Sequence, residues 1–149
     1  MILFVDDEWF RLQSYIDWFK ARDIKCFTAR TIDEAEEKLR VLKNEVKLVI
    51  LDVIVPFDST AEGDRAAFAE AKRGGLWLLR HIKQKYPGLP IVVFTVLTKA
   101  EIEAKFPALG LTEKDVETEG FYEKRDASIV TLGEAALKLL PQEGSRSAP

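Results

Sequence analysis

Five short apolar runs, each followed by a stretch of helical periodicity, constrain this chain more than any single residue does. Ile2–Val5, Ile24–Thr28, Leu48–Leu51, Ile91–Phe94 and Gly120–Glu123 read as strands. Leu48–Leu51 is apolar throughout, the pattern of a strand covered on both faces. Trp9, Leu12, Ile16 and Phe19 recur at helical spacing, as do Ile32, Ala35, Leu39 and Leu42. Leu76, Leu79, Ile82 and Tyr86 form a third stripe, and Ile129, Leu132, Ala136 and Leu139 a last one. Thr31 with Glu34 three residues on has the pattern of a capping box at a helix start. A strand-helix unit repeated five times predicts an α/β chain. The expected architecture is a doubly wound five-stranded parallel sheet between two helical layers.

Between Pro56 and residue 76 the pattern loosens. Residues 57–63 read as loop and 64–73 as an Ala-rich helix, with Gly74-Gly75 interrupting it or marking a turn. Residues 98–106 look helical, whereas 107–119 are polar and irregular. The chain of 149 residues suits one domain, expected over 1–141, with 142–149 a disordered tail. A net charge of −3 without a basic stripe excludes a nucleic-acid footprint. No apolar run reaches the roughly 18 residues of a membrane span, and the start "MILFVDDEWF" is not a signal peptide. Cys26 is the single cysteine, so no internal disulfide forms, and a cytoplasmic location is expected.

In open parallel sheets, ligands bind beyond the carboxyl ends of the strands. The residues that follow the strand runs here include Asp6, Asp7, Asp52, Thr95 and Lys124. Three carboxylates close together repel one another unless a cation relieves them. Mg²⁺ prefers oxygen ligands, typically one or two carboxylates with waters and a phosphate, so Asp6, Asp7 and Asp52 read as a Mg²⁺ site. Lys124 suits a developing phosphate charge, and the Thr95 hydroxyl can donate to a phosphoryl oxygen. A nucleophilic carboxylate, a metal site, a hydroxyl and an ammonium are what phosphoryl transfer to an aspartate requires.

The sequence resembles response-regulator receiver domains. The likeness rests on "ILFVDDE" at the first strand, "LVILDVIVP" around Asp52, "IVVFT" ending at Thr95 and "GFYEK" ending at Lys124, in the family's order over residues 1 to about 140. The resemblance implies a flavodoxin-like receiver fold and phosphorylation on Asp52 with Mg²⁺. It implies metal ligation by Asp7, Asp52 and the Ile54 backbone carbonyl, with Asp6 a ligand directly or through water. Thr95 and Lys124 would contact the phosphoryl group, and Phe121 stands where the family often has a switch aromatic. The phosphodonor would be a histidine kinase or a phosphotransfer protein, and output would pass through a separate partner protein rather than directly to nucleic acid.

Four departures from that pattern stand out. A long insertion separates Pro56 from Gly74-Gly75, where it would cover the site or present a partner surface. Arg125 replaces the family's frequent proline after the lysine, so a trans bond or a remodelled turn is expected, since a non-proline cis bond costs about 2.5–4 kcal/mol. Val96 stands where many members have a smaller residue, which would crowd the phosphate. Residues 107–119 lengthen the approach to the last strand, altering a face such domains commonly use to dimerise. These departures keep a second reading open, a pseudo-receiver that binds partners without phosphorylation. A haloacid-dehalogenase-type hydrolase ranks low because Ile54 stands where the second acid belongs. A flavodoxin-like cofactor binder lacks its phosphate loop.

The remaining residues have plainer readings. Phe121 also fits simple core, and Cys26 a small buried hydrophobe. His81 reads as a surface histidine rather than a phosphorelay one, and Trp9, Trp18 and Trp77 as packing residues. The run 33–38 reads as a solvated helix face, and Arg65, Lys72 and Arg73 as solvated cations or a draw for an acidic partner.

Overall fold

The structure, a computed structural model, describes residues 1–58 and 60–141. Its strands are β1 (Ile2–Val5), β2 (Cys26–Ala29), β3 (Leu48–Leu51), β4 (Ile91–Thr95) and β5 (Gly120–Glu123). The helices are α1 (Gln13–Lys20), α2 (Ile32–Leu42), α3 (Ala66–Glu70), α4 (Gly74–Lys85), α5 (Lys99–Glu103), α6 (Phe106–Leu109) and α7 (Ile129–Leu139). All strand pairs are parallel in the order β2-β1-β3-β4-β5. The direction of winding reverses between β1 and β3, the place where such sheets open a crevice. The expected tail at 142–149 lies outside the described residues, as does the side chain of Trp9.

The apolar strands are explained by cover on both faces. Leu3, Val5, Val49, Leu51 and Val93 point into one core with Leu39, Leu76, Leu79 and Ile82. Ile2, Phe4, Leu48, Ile50, Val92 and Phe94 alternate into the other, against Leu12, Phe19, Leu132 and Ala136. Because side chains alternate along a strand, a slip of one residue would exchange the two cores.

Helix starts follow local chemistry. The Thr31 hydroxyl accepts from the Glu34 N–H at 3.1 Å. Glu34 does not complete a box on Thr31, since its carboxylate accepts from the Arg30 N–H instead. Thr98 and Glu101 do form a reciprocal capping box at α5, and Ser128 caps α7 through the Thr131 N–H. The expected helix over 98–106 divides into α5 and α6, with Pro107 in the first turn of α6 and Gly110 ending it at φ 65°. The "irregular" stretch after it contains a 3-10 turn over Glu113–Val116.

Gly74-Gly75 neither interrupt a helix nor form a turn; they begin α4. The Gly75 N–H donates to the Val53 carbonyl at 2.9 Å. A Cβ on Gly75 would stand 2.1 Å from the Asp52 carbonyl oxygen, and one on Gly74 2.2 Å from that of Val55. The pair lets the α4 backbone rest directly on the chain leaving β3.

The insertion folds back and is fastened by Arg65. Its guanidinium binds Asp33 at 2.7 Å and also Glu36, and lies 4.2 Å over the Trp77 ring and 5.3 Å over Phe57. Trp77 Nε1 donates to Asp64 at 3.1 Å. His81 stacks on Trp77 with ring centroids 4.8 Å apart and faces Glu36 at 3.3 Å. Thus Asp33 and Glu36 of the 33–38 run face the insertion while Glu37 stays exposed, Arg65 is not a solvated cation and His81 is half-buried rather than at the surface. Partial burial holds the His81 pKa below its usual value against the pull of Glu36. Residues 64–73 form only a 3-10 turn and the short α3.

Two expectations follow. Gly75→Ala should lower stability in urea by about 1–3 kcal/mol, the usual cost of forcing atoms into a packed interior. Arg65→Ala should expose residues 57–73 to limited proteolysis while the rest of the chain stays resistant. The wild type should lose that protection only in acid. Partial burial opposes the charge on Asp33, but the Asp58 N–H and the Arg65 guanidinium outweigh it and hold its pKa below the usual value. The stability this gives is full above the ordinary aspartate pKa near ~3.9 and lost as pH falls through the lowered folded value.

Candidate functional site

Backbone register brings the strand-end residues together. The Asp6 N–H donates to the Ala29 carbonyl at 2.9 Å, the Asp52 N–H to Val5 at 2.9 Å and the Lys124 N–H to Thr95 at 2.8 Å. Asp6, Asp52, Thr95 and Lys124 therefore meet above the carboxyl edge of β1, β3, β4 and β5. Asp7 joins them: one carboxylate oxygen from each of Asp6, Asp7 and Asp52 lies within 4.8 Å of the others. Asp6 and Asp52 are only 3% and 4% exposed and Thr95 is fully buried, whereas Asp7 opens to solvent.

Burial of this much charge needs compensation. Lys124 Nζ supplies it, standing 2.7 Å from Asp6 and 3.0 Å from Asp52. The Thr95 hydroxyl donates to Asp52 Oδ1 at 2.6 Å, and the Ile54 N–H donates to the same oxygen at 3.1 Å. Both Asp52 oxygens are thus engaged, one by Thr95 and Ile54, the other by Lys124. Burial pushes the Asp52 pKa above its usual value, with Lys124 and Thr95 pulling against it. Burial opposes the charge on Lys124, but Asp52 and Asp6 outweigh it and hold the ammonium pKa above the ordinary value. Asp7 is also raised, by burial and by the charge of Asp6. An all-oxygen set of three clustered acids, partly neutralised by one ammonium, fits a hard divalent cation.

Other features bound the site. Val96 is 50% exposed at its rim. Arg125 pairs with Glu123 at 3.1 Å, and the described residues contain no cis peptide, so the Lys124–Arg125 bond is trans as expected. The insertion forms a side wall: Phe57, Ala69, Lys72 and Gly74 enclose a cavity of about 370 Å³ with Asp7, Ile54, Val55 and Pro56. The sequence placed the insertion at this edge but did not name the residues that form the wall, because no local pattern reports where an insertion folds back. Phe121 is half-buried and faces away from the acids into a separate cavity. Cys26 is half-buried on β2, and burial pushes its thiol up to about 12, leaving it unreactive at neutral pH. No helix among the described residues is long and apolar enough to cross a membrane.

No family model matches the sequence, and no curated protein matches it either. Solved structures do match. A response regulator receiver domain protein from Clostridium thermocellum superposes with a TM-score of 0.66 at 20% identity, over 93% of this chain and 91% of that one. The receiver domain of NtrX from Brucella abortus gives 0.64 at 24% identity, over 94% and 98%. The non-phosphorylated HemR receiver domain from Leptospira biflexa gives 0.65 at 21%, over 95% and 94%. Likeness at these identities is one of fold, and it extends over nearly the whole of both chains. The chain therefore has the receiver-domain fold of response regulators.

Proposed function

We propose that the chain is a phosphoacceptor receiver of a two-component or phosphorelay pathway, phosphorylated on Asp52. The observation that carries this reading is the convergence of Lys124 and Thr95 on a buried Asp52 beside two further acids. Asp6, Asp7, Asp52 and the Ile54 carbonyl would hold Mg²⁺, which when bound offsets the charge of an incoming phosphoryl group. An Asp52 oxygen attacks phosphorus while the P–N bond of a donor phosphohistidine breaks, its electron pair returning to the imidazole. With a small acyl phosphate, the P–O bond breaks and a carboxylate leaves. Lys124 gives up Asp52 to meet the phosphoryl oxygens, and Thr95 turns its hydroxyl donor from Asp52 to one of them. That exchange of partners is the two-state element through which a separate protein would read the modification. A histidine kinase or phosphotransfer protein is the donor in this reading, with output neither to nucleic acid nor through a membrane, and cytoplasmic. Val96 at the rim slows both large donors and hydrolysis.

Intact-mass measurement after incubation with acetyl phosphate tests this. A single phosphoryl adduct that needs Mg²⁺ and disappears in Asp52→Asn is expected. A folded wild type that stays unlabelled beside a working receiver would leave the pseudo-receiver reading in its place.

Lys124 and the metal compete for the same oxygens, so Lys124→Ala should bind Mg²⁺ several-fold more tightly by titration, since a nearby positive charge is removed. The same variant should transfer phosphate to Asp52 more slowly, because the ammonium that meets the phosphoryl charge is gone. Tighter metal binding joined to faster transfer would contradict the role given to Lys124.

A further inference from the structure

Against the face of β4 and β5 that packs on α4 lies a cavity of about 400 Å³, lined by Val53, Leu76, Leu79, Val93 and Phe121, within the size range of small-molecule sites. It exists because the chain after β4 is broken. Pro107 and Gly110 confine α6 to four residues, and the following 3-10 turn bridges back without filling the space. Lys83 Nζ donates to the carbonyls of Lys114 and Glu117, each at 3.0 Å, tying that turn to α4 and fixing the far wall. The space is thus built and held rather than left by a loose loop.

Its floor is apolar, with Val53, Val93 and Phe121 at its centre, and its rim carries Glu103, Glu113 and Glu117 against the single cation Lys99. The Lys99 ammonium stands 6.0 Å over the Phe121 ring, a face that an apolar body on that ring would share with it. Apolar depth under a rim of three carboxylates, against Lys99 and the wall-bound Lys83, leaves a net negative rim that favours an amphipathic cation over an anion of the same shape. The acids of the phosphoacceptor site line no part of this cavity.

We propose that this cavity is a binding site for a small organic ammonium ion with an apolar body, such as an arylalkylamine. The apolar body rests on Val53, Val93 and Phe121, and the ammonium meets the glutamates at the rim. The proposal uses none of the acids of the Asp52 cluster and needs no phosphoryl group, although the amine would rest on Phe121, the position of the switch aromatic, and beside Val53, which follows Asp52.

The test is a titration of ¹⁵N-labelled protein with 2-phenylethylamine and, separately, 3-phenylpropionate, followed by amide shifts without Mg²⁺ or phosphodonor. Saturable shifts centred on Val53, Val93 and Phe121 are expected with the amine. Binding of the carboxylate should be at least about tenfold weaker, as expected for reversed charge at a partly desolvated rim. Glu103→Lys/Glu117→Lys, two exposed positions, should weaken the amine to a similar degree while its spectrum stays that of a folded chain. No saturable shift, shifts centred elsewhere, equal binding of the two probes, or an unaltered double variant would each overturn the proposal.

Discussion

Two carboxylates buried at the ends of neighbouring strands are tolerable in this fold because one ammonium lies between them. Lys124 reaches Asp6 and Asp52 together, and its position is set by a backbone hydrogen bond from its own N–H to Thr95. Without that cation the β1 and β3 ends would carry like charges in a poorly solvated crevice, a strongly unfavourable arrangement. The register of β4 with β5 is thus tied to the electrostatics of β1 with β3. A sheet that paired differently at its β5 edge would leave its acids uncompensated at the switch point.

The compensation is incomplete. Four acids share one lysine: Asp6, Glu8 and Asp52 lie within ion-pair distance of it, and Asp7, exposed to solvent, has no cation within that distance among the described residues. This residual charge is where a divalent ion would add most. Under the proposed function it would let the cluster be both a resting site and a reactive one. Lys124 and Thr95 satisfy Asp52 as long as nothing better is offered, and both are donors that a tetrahedral oxyanion can take over.

The sheet and the acids were legible in the sequence because they follow one-dimensional rules. Leu48–Leu51 and Gly120–Glu123 have the bounds their apolar patterns predicted. The strand-end rule then placed Asp6, Asp52, Thr95 and Lys124 on one edge without any knowledge of contacts. What could not be read was long-range pairing. Nothing local distinguishes Arg65 from Lys72, yet Arg65 binds Asp33 and Glu36 about thirty positions away. The same pairing made two residues of the 33–38 run, Asp33 and Glu36, a docking surface for the insertion while Glu37 stays exposed. It also gathered His81 into the stack on Trp77. Gly74-Gly75 were misread for a related reason. Local propensity reads paired glycines as a break, whereas the backbone they must approach, at Asp52 and Val55, is close in space but about twenty positions away in sequence, which propensity does not contain.

The insertion is held at several linked points: the Arg65 guanidinium between two rings and two carboxylates, Asp64 on Trp77, the Asp58 N–H on Asp33, and Phe68 buried in the core. A segment whose contacts share Trp77 and Asp33 in this way does not come apart one contact at a time. It should open as one cooperative unit, at a free energy below that of the sheet. The chain would then contain two layers of stability. A rigid sheet keeps the acids in register, and the side wall next to Asp7 would open and close as a whole. Access to one flank of the crevice would be all-or-none, set by a contact remote from the reacting atoms.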